Sequence, residues 1–286
     1  MEQAILDWLN WLALRASPDT CAGYGWELRA LVKRGGPMFA SAWRTEDLTR
    51  YLAERRAAGV GAAGLKHCVG ALRSFFGWAC ASASPAGGVP YPRVARRVQR
   101  TLSAAEALAV LTSCDTSTAL GRRDVAIFGV MLDSGLRVGE VCRLRLADLD
   151  LDRRVFVVVV KGGQQRFGVF SEYTRSLLSA WLALRLGLVG SGVGTLFVSV
   201  RGRPLTRSGI MIVCRRAARR AGVAHFSPHA LRRAFATLAI GFGAPTRVVQ
   251  VAGRWSDVGQ VERYSAALAP GAVDPYAPVA RLMGER

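Results

Sequence analysis

Lysine and histidine are scarce in this sequence. Of the 39 basic residues only three are lysines, Lys33, Lys66 and Lys161, and only three histidines occur. Acidic residues number 20, which leaves a formal net charge of +19 and an isoelectric point near 11.1. A charge excess of this size indicates a polyanionic partner, either nucleic acid or an acidic membrane surface. The alternative is a merely basic surface that reflects an arginine-rich genome. Arginine carries nearly all of this charge, so the position of each lysine is informative.

Closely spaced cysteines and long apolar runs are also lacking. The six cysteines lie far apart with no CxxC pair and no ordered Cys/His spacing, so neither a zinc knuckle nor a disulfide framework is indicated. The N-terminus lacks a basic segment followed by an apolar core, and no run of about 18 apolar residues occurs. We therefore expect a soluble, cytoplasmic protein without a membrane partner or a metal site.

The first 90 residues show helical periodicity throughout. Apolar residues recur at helical spacing in four stretches, and Gly35-Gly36 and Gly59 end two of them. The aromatic residues at these spacings, such as Trp8, Trp26, Phe76 and Trp78, are typical of a core. Residues 1–90 are therefore predicted to form a small all-helical domain, supported by an apolar content of 51% for the chain.

A linker and a second domain are predicted to follow. Proline and glycine are frequent from residue 83 to 92, and arginines at 93, 96, 97 and 100 make residues 91–100 a basic linker. Residues 101–286 combine helical patterns with two β-branched stretches, 153–160 and 166–170, which read as a β-hairpin around Lys161. The predicted fold class is mainly α with a small β-sheet.

The segment SPHALRR places two candidate phosphate ligands near a helix start. Ser227 is predicted as the N-cap and Pro228 as the first helical residue, so His229 and Arg232 lie one turn apart. A helix N-terminus, an imidazole and a guanidinium together suit a phosphate group. By itself the pair is also compatible with an ordinary solvated helix face.

The segment SGLRVGE places Arg137 three residues before Glu140, after a glycine turn. One interpretation is a surface ion pair that contributes less than about 1 kcal/mol. The functional interpretation is that Glu140 holds Arg137 in position at a binding site.

Lys161 stands at the predicted tip of the hairpin. In a chain that otherwise uses arginine, a lysine at an exposed turn suggests proton donation, because an ammonium group can lose a proton near neutral pH and a guanidinium cannot. Turns also tolerate lysine without any such role.

Five segments in order, SGLRVGE, VVKGG, SPHALRR, GRWSD and VERYS, resemble the successive catalytic motifs of the tyrosine recombinase (phage integrase) family. The spacings agree: three residues from His229 to Arg232, 23 from Arg232 to Trp255, and nine from Trp255 to Tyr264. Upstream, TEDLTRYLAERRAAGV and ALRSFFGWA are similar to the helical core-binding domain of that family. Each motif alone is a weak signal, and the ordered set is strong.

The resemblance implies a two-domain DNA clamp. It would join an all-α, SAM-like core-binding domain to an α+β tyrosine recombinase catalytic domain at residues 101–286. The expected partner is a double-stranded DNA recombination site, bound by a homo-tetramer that exchanges strands through a Holliday junction. No cofactor is implied, and the sequence does not indicate accessory proteins.

The resemblance also assigns catalytic roles. Tyr264 would form a 3′-phosphotyrosyl bond while two guanidiniums offset the negative charge on the phosphate. Lys161 would protonate the leaving oxygen, and His229 would accept or return the tyrosine proton. The two guanidiniums are those of Arg137 and Arg232. Trp255 stands where many members have a second histidine, and its indole N–H would donate to the phosphate.

Three departures from the family pattern concern side chains near these motifs. Arg233 stands where the family usually has histidine, Ala252 stands where leucine is common, and Gly168-Val169 replaces a proline expected near the end of the hairpin. None of these changes removes a predicted catalytic group.

Further DNA contacts are predicted on two helices. On a helix over residues 206–222, apolar residues face inward while Arg215 and Arg216 face outward, and Arg207 lies near its start. Lys66 and Arg73 are the candidates on the fourth N-terminal helix. A solvated basic face is the alternative; beside a phosphate-cutting site, phosphate contacts are favoured.

Several functions share this chemistry. Integration or excision of a phage or mobile element is the first prediction, and resolution of chromosome dimers or plasmids by the same family is the alternative. A type IB topoisomerase would relax DNA without a defined site. A non-catalytic DNA-binding protein would not need the full set of catalytic side chains.

Overall fold

The computed structural model describes residues 1–95, 100–160, 163–189, 192–259 and 261. Two predicted catalytic residues, Lys161 and Tyr264, lie outside these ranges, as do Arg96 and Arg97 of the predicted linker. The chain falls into two compact units, Met1–Val98 and Gln99–Arg286.

The first unit is helical in all its regular elements within the described residues. Its four α-helices pack around a core that includes Trp8, Leu28, Leu72 and Phe75, all with no exposed surface. Trp8 meets Phe75 edge to face, with 5.6 Å between the ring centroids, which is a favoured aromatic geometry. Trp8 and Phe76 thus lie in the core, as predicted. The helices are α1 (Glu2–Ala13), α2 (Pro18–Lys33), α3 (Thr45–Ala57) and α4 (Ala62–Cys80). The prediction was wrong for Trp26 and Trp78, which are 59% and 36% exposed because they lie on the solvent-facing sides of α2 and α4.

The second unit combines helices with a small sheet, which confirms the predicted fold class. Its helix starts follow local capping chemistry: Ser103 and Glu106 form a capping box at the start of α5, and Thr206 caps α9. Within the described residues the helices are α5 (Ala104–Thr112), α6 (Ala119–Ser134), α7 (Val138–Arg143), α8 (Glu172–Arg185), α9 (Arg207–Ala221), α10 (Pro228–Gly241) and α11 (Thr246–Gly253).

The sheet contains three antiparallel strands in the order β1 (Leu149–Asp150), β2 (Val155–Val159) and β3 (Gln165–Val169). Strands β2 and β3 form the predicted hairpin, with Val157 opposite Phe167. Strand β2 begins two residues later than predicted because Arg154 adopts a left-handed conformation (φ 56°) that ends the preceding turn. Strand β1 was not predicted, since two residues are too few to show an alternating pattern.

Helix α6 forms the centre of the second unit. It is buried on nearly all sides and packs against α8 and α10, which together enclose its apolar residues. The same helix carries a buried charge, Arg123, whose guanidinium donates to Asp124 Oδ1 at 2.6 Å and 2.9 Å and to the Val198 carbonyl at 2.9 Å. These bonds compensate for the loss of water around the guanidinium. No helix in the described ranges is both long enough and apolar enough to span a membrane.

Gly168 lets β3 pass directly over an aromatic stack in the hairpin. The rings of Phe156 and Phe170 are parallel within 4°, with centroids 6.0 Å apart, and Phe156 is fully buried. A Cβ at Gly168 would lie 2.1 Å from the Phe156 ring. The strand therefore has no room for a side chain at this position.

We expect Gly168→Ala to lower the free energy of unfolding of the second unit by about 1–3 kcal/mol, because the new methyl group must displace Phe156. Urea denaturation followed by circular dichroism measures this change. Gly187→Ala is the matched control, since a Cβ there meets no atom within 4 Å. Equal stability of the two variants would contradict the packing argument.

Candidate active site

Arg137 lies in the turn between α6 and α7. Gly135 ends α6 in the left-handed conformation (φ 60°), and a Cβ at this glycine would lie 2.5 Å from Phe235. The turn therefore requires glycine for two reasons, conformation and space. Arg137 follows as the N-cap residue of α7, with its side chain 43% exposed.

Glu140 binds both the backbone and the side chain of Arg137. Its Oε2 accepts a hydrogen bond from the Arg137 backbone N–H at 2.8 Å, and its Oε1 accepts from Arg137 Nη1 at 3.0 Å. The Glu140 side chain is only 4% exposed, so this contact is unlike a solvated surface pair. The geometry supports the predicted positioning role of Glu140.

Arg232 is buried, with 5% of its surface exposed, and extends from α10 to the same turn. Its Nη1 donates to the Gly135 carbonyl oxygen, two residues before Arg137. Helix α10 begins with Pro228 at its first position, as predicted, but the Ser227 side chain makes no capping hydrogen bond. The proline, whose φ already suits a helix, is the remaining start signal.

The Trp255 ring packs against Arg232. The guanidinium carbon lies 4.1 Å from the ring centroid, a cation–π contact, and the ring is stacked on Phe235 with centroids 6.1 Å apart. A Cβ at Gly253 would overlap this ring at 1.8 Å, which accounts for glycine at the end of α11. The predicted hydrogen bond from Trp255 to phosphate stays a prediction; its support of Arg232 was not predicted.

His229 is exposed on the first turn of α10. Desolvation lowers the pKa of its imidazole below the ordinary value of 6.5, and the positive charges of Arg233, Arg232 and Arg137 lower this pKa further. The imidazole is therefore neutral at pH 7. In this state it can accept a proton, as its predicted role requires.

Arg254 is a site residue that sequence reasoning missed. Its side chain is 4% exposed, and its Nη2 donates to the Ser134 carbonyl at 3.0 Å and lies 3.8 Å from Glu140 Oε2. Burial lowers the pKa of this guanidinium, and the charge of Glu140 opposes that shift. The only signal in the sequence was its place beside Trp255 in GRWSD.

One of the predicted DNA contacts on α9, Arg207, lies close to this site. A Cβ at Gly139 would be 3.1 Å from Arg207 Nη2, so the Arg207 guanidinium covers the first turn of α7. Arg215 and Arg216 are exposed, while the opposite face of α9 is buried. Contacts of Arg207, Arg215 and Arg216 with DNA phosphates stay a prediction.

The two candidates on α4 differ from each other. Lys66 is exposed. Arg73 is partly buried and donates to the carbonyl oxygens of Gly87 at 3.2 Å and Val89 at 2.8 Å, with its guanidinium 4.6 Å from the Tyr91 ring centroid. Arg73 therefore attaches α4 to the segment that follows it, a structural role that the sequence did not indicate.

Comparison with known proteins gives family and fold. Residues 100–269 match the phage integrase family. Tyrosine recombinase XerC of Xylella fastidiosa (strain M23) is 31% identical over 245 residues, which cover 82% of this chain and 81% of the relative. XerC of Bacillus pumilus (strain SAFR-032) is 33% identical over 215 residues, covering 72% and 70%.

Two solved structures show the same fold. The Tn1549 transposon integrase in complex with transposon right end DNA has a TM-score of 0.73 at 16% identity, covering 98% of this chain and 99% of that one. The lambda integrase tetramer bound to a Holliday junction has a TM-score of 0.70 at 20% identity, covering 91% and 76%. The arginines, the histidine and the tryptophan of the motifs lie near the turn between α6 and α7, which agrees with these comparisons. The chain therefore belongs to the phage integrase family and is a tyrosine recombinase.

Proposed function

We propose that this enzyme cuts and rejoins double-stranded DNA at a defined site through a covalent bond between Tyr264 and a DNA 3′-phosphate. The observation that carries the proposal is the hydrogen bond from Arg232 to Gly135, which brings one guanidinium to the turn that presents the other, Arg137. Two guanidiniums at one place match the charge that develops on a phosphodiester under attack.

The proposed reaction conserves the energy of the broken bond. The Tyr264 oxygen attacks phosphorus, the new P–O bond forms and the bond to the 5′ oxygen breaks. The phenol proton passes to neutral His229, and Lys161 gives a proton to the leaving 5′ oxygen. In the second half-reaction a 5′-hydroxyl of another strand attacks the phosphotyrosine and reverses these transfers. ATP is not consumed, because one phosphodiester replaces another.

We further propose that four copies act together on DNA and pass through a Holliday junction. The fold is shared with the lambda integrase tetramer that was solved on such a junction. The exposed arginines Arg207, Arg215 and Arg216 on the catalytic unit, and Lys66 on the first unit, are the proposed phosphate contacts. Such contacts position the DNA and do not read its sequence.

Integration or excision of a mobile element is the first candidate role. Resolution of DNA dimers is the second, and it is favoured by the XerC relatives, which align over more than two thirds of the chain. Sequencing the covalent adducts formed on host and mobile-element DNA distinguishes the two roles. Relaxation of a supercoiled plasmid that lacks this site would instead indicate topoisomerase activity.

Tyr264→Phe is expected to form no covalent adduct with a nicked half-site DNA substrate, because the variant lacks the nucleophilic oxygen. Adducts are measured by denaturing gel electrophoresis. Tyr173→Phe is the matched control, since Tyr173 is 68% exposed on α8 and takes no part in the proposed reaction. An undiminished adduct in Tyr264→Phe would overturn the assignment of the nucleophile.

Lys161→Arg is expected to slow cleavage by about 100-fold, a usual contribution of a general acid, while DNA affinity stays nearly unchanged. A substrate with sulfur in place of the leaving 5′ oxygen should restore the rate, because a thiolate leaves without being protonated. Single-turnover cleavage and equilibrium binding measure the two quantities. Equal losses in rate and affinity, with no recovery by sulfur, would mean that Lys161 only binds DNA.

The His229 imidazole is expected to titrate below 6.5 in the DNA-free protein, because desolvation and three guanidiniums disfavour its protonated form. Arg233→Gln removes one of these charges and should raise the midpoint. NMR titration measures both, and His229→Asn identifies the resonance among the three histidines. A midpoint at or above the ordinary value would contradict the argument that desolvation and the three guanidiniums lower this pKa.

A further inference from the structure

Arg254 has a backbone conformation that does not suit its residue type. It closes α11 with φ 56° and ψ 44°, in the left-handed region that favours glycine. A glycine would take this conformation without steric conflict between Cβ and the backbone. The presence of a long, charged side chain here therefore points to a role for the guanidinium.

The guanidinium of Arg254 reaches the turn that carries Arg137. Nη1 donates to the nearby Ala252 carbonyl at 2.8 Å, and Nη2 donates at 3.0 Å to the carbonyl of Ser134, a residue 120 positions earlier in the chain. The side chain thus connects the end of α11 with the end of α6. Arg137 follows three residues after Ser134.

Glu140 is shared between the two arginines. Its Oε2 accepts the Arg137 backbone N–H at 2.8 Å and lies 3.8 Å from Arg254 Nη2, while its Oε1 accepts from Arg137 Nη1 at 3.0 Å. Glu140 and Arg254 are both 4% exposed, whereas Arg137 is 43% exposed. One buried carboxylate therefore faces a buried guanidinium on one side and an accessible one on the other.

This arrangement determines how much of the Arg137 charge is available to a ligand. Without Arg254, the buried carboxylate would be neutralised by Arg137 alone, which would draw that guanidinium toward Glu140. With Arg254, the three side chains carry a net charge of +1, and their exposed part is Arg137. The buried arginine thus allows Glu140 to orient Arg137 without cancelling its charge.

We propose that Arg254 is a positioning residue for strand cleavage, acting through Glu140 on the guanidinium of Arg137 at the scissile phosphate. The proposal rests on the phosphodiester cleavage described under Proposed function. Arg254 is adjacent to Trp255, which packs on Arg232, so two consecutive residues support the two phosphate-binding guanidiniums.

Arg254→Gly is the informative variant, because glycine keeps the left-handed backbone and removes only the side chain. We expect adduct formation on a nicked half-site to slow by about 10- to 100-fold, because misplacement of a catalytic group lowers the reaction rate by about this factor. Arg254→Lys should recover part of the rate by restoring a buried positive charge. Arg154→Gly is the matched control: Arg154 is exposed, has the same φ of 56°, and its loss should leave the rate unchanged.

A substrate whose scissile phosphate carries a methyl group in place of one non-bridging oxygen tests the mechanism. This neutral phosphonate develops less negative charge and needs less help from Arg137. The deficit of Arg254→Gly should therefore shrink to less than about threefold on it. The same deficit on both substrates would mean that Arg254 only stabilises the fold, and would overturn the proposal.

Coupling to Glu140 provides a second measurement that does not depend on one variant. In a Glu140→Gln background the carboxylate charge is absent, so Arg254→Gly and Arg254→Lys should cause little further loss of cleavage rate. Rate losses that are fully additive with that of Glu140→Gln would contradict the proposal. Thermal unfolding shows whether each variant folds. Failure of the wild-type protein to form any adduct would instead contradict the proposed cleavage reaction.

Discussion

The active site depends on one buried guanidinium. Arg232 extends from α10 to the Gly135 carbonyl and lies against the face of Trp255. A buried guanidinium is tolerated only when its N–H groups and its charge are compensated, and here a carbonyl oxygen and an aromatic face contribute to this compensation. Because these partners come from the C-cap of α6 and from the second residue after α11, the contact brings three parts of the chain to one place. Positions 135 and 253 require glycine because the rings of Phe235 and Trp255 occupy the space that a Cβ would need.

Several positive charges lie close together around the Gly135–Arg137 turn, and the structure reduces their repulsion in two ways. Glu140, buried between Arg137 and Arg254, supplies the negative charge that allows two guanidiniums to approach. His229 responds differently, since the surrounding positive charge lowers the pKa of its imidazole and leaves it neutral. A bound phosphate would supply the remaining negative charge. The same electrostatics therefore favours a phosphodiester ligand and a proton acceptor beside it.

Local patterns in the sequence predicted much of the fold. The apolar periodicity of the first 90 residues, the start of α10 at Pro228 and the hairpin formed by β2 and β3 all depend on neighbours in the chain, so the sequence predicted them. The two-residue strand β1 and the left-handed Arg154 were missed, because neither produces a periodic signal. Arg73, which was predicted to contact DNA, also binds the carbonyls of Gly87 and Val89, and the sequence did not indicate this. A distant acceptor of this kind cannot be read from residue type.

For the site, the sequence by itself determined the chemical groups and their order along the chain. Residue types set which side chains carry charge, donate protons or attack phosphorus, and the motif spacing set the family. Only the tertiary structure decided which of the many arginines are buried and which groups they contact. It placed Arg254 beside Glu140 and the Trp255 ring against Arg232, contacts that join residues 114 and 23 positions apart. The physical reason is that burial and pairing depend on which helices pack together, and that is a property of the whole core.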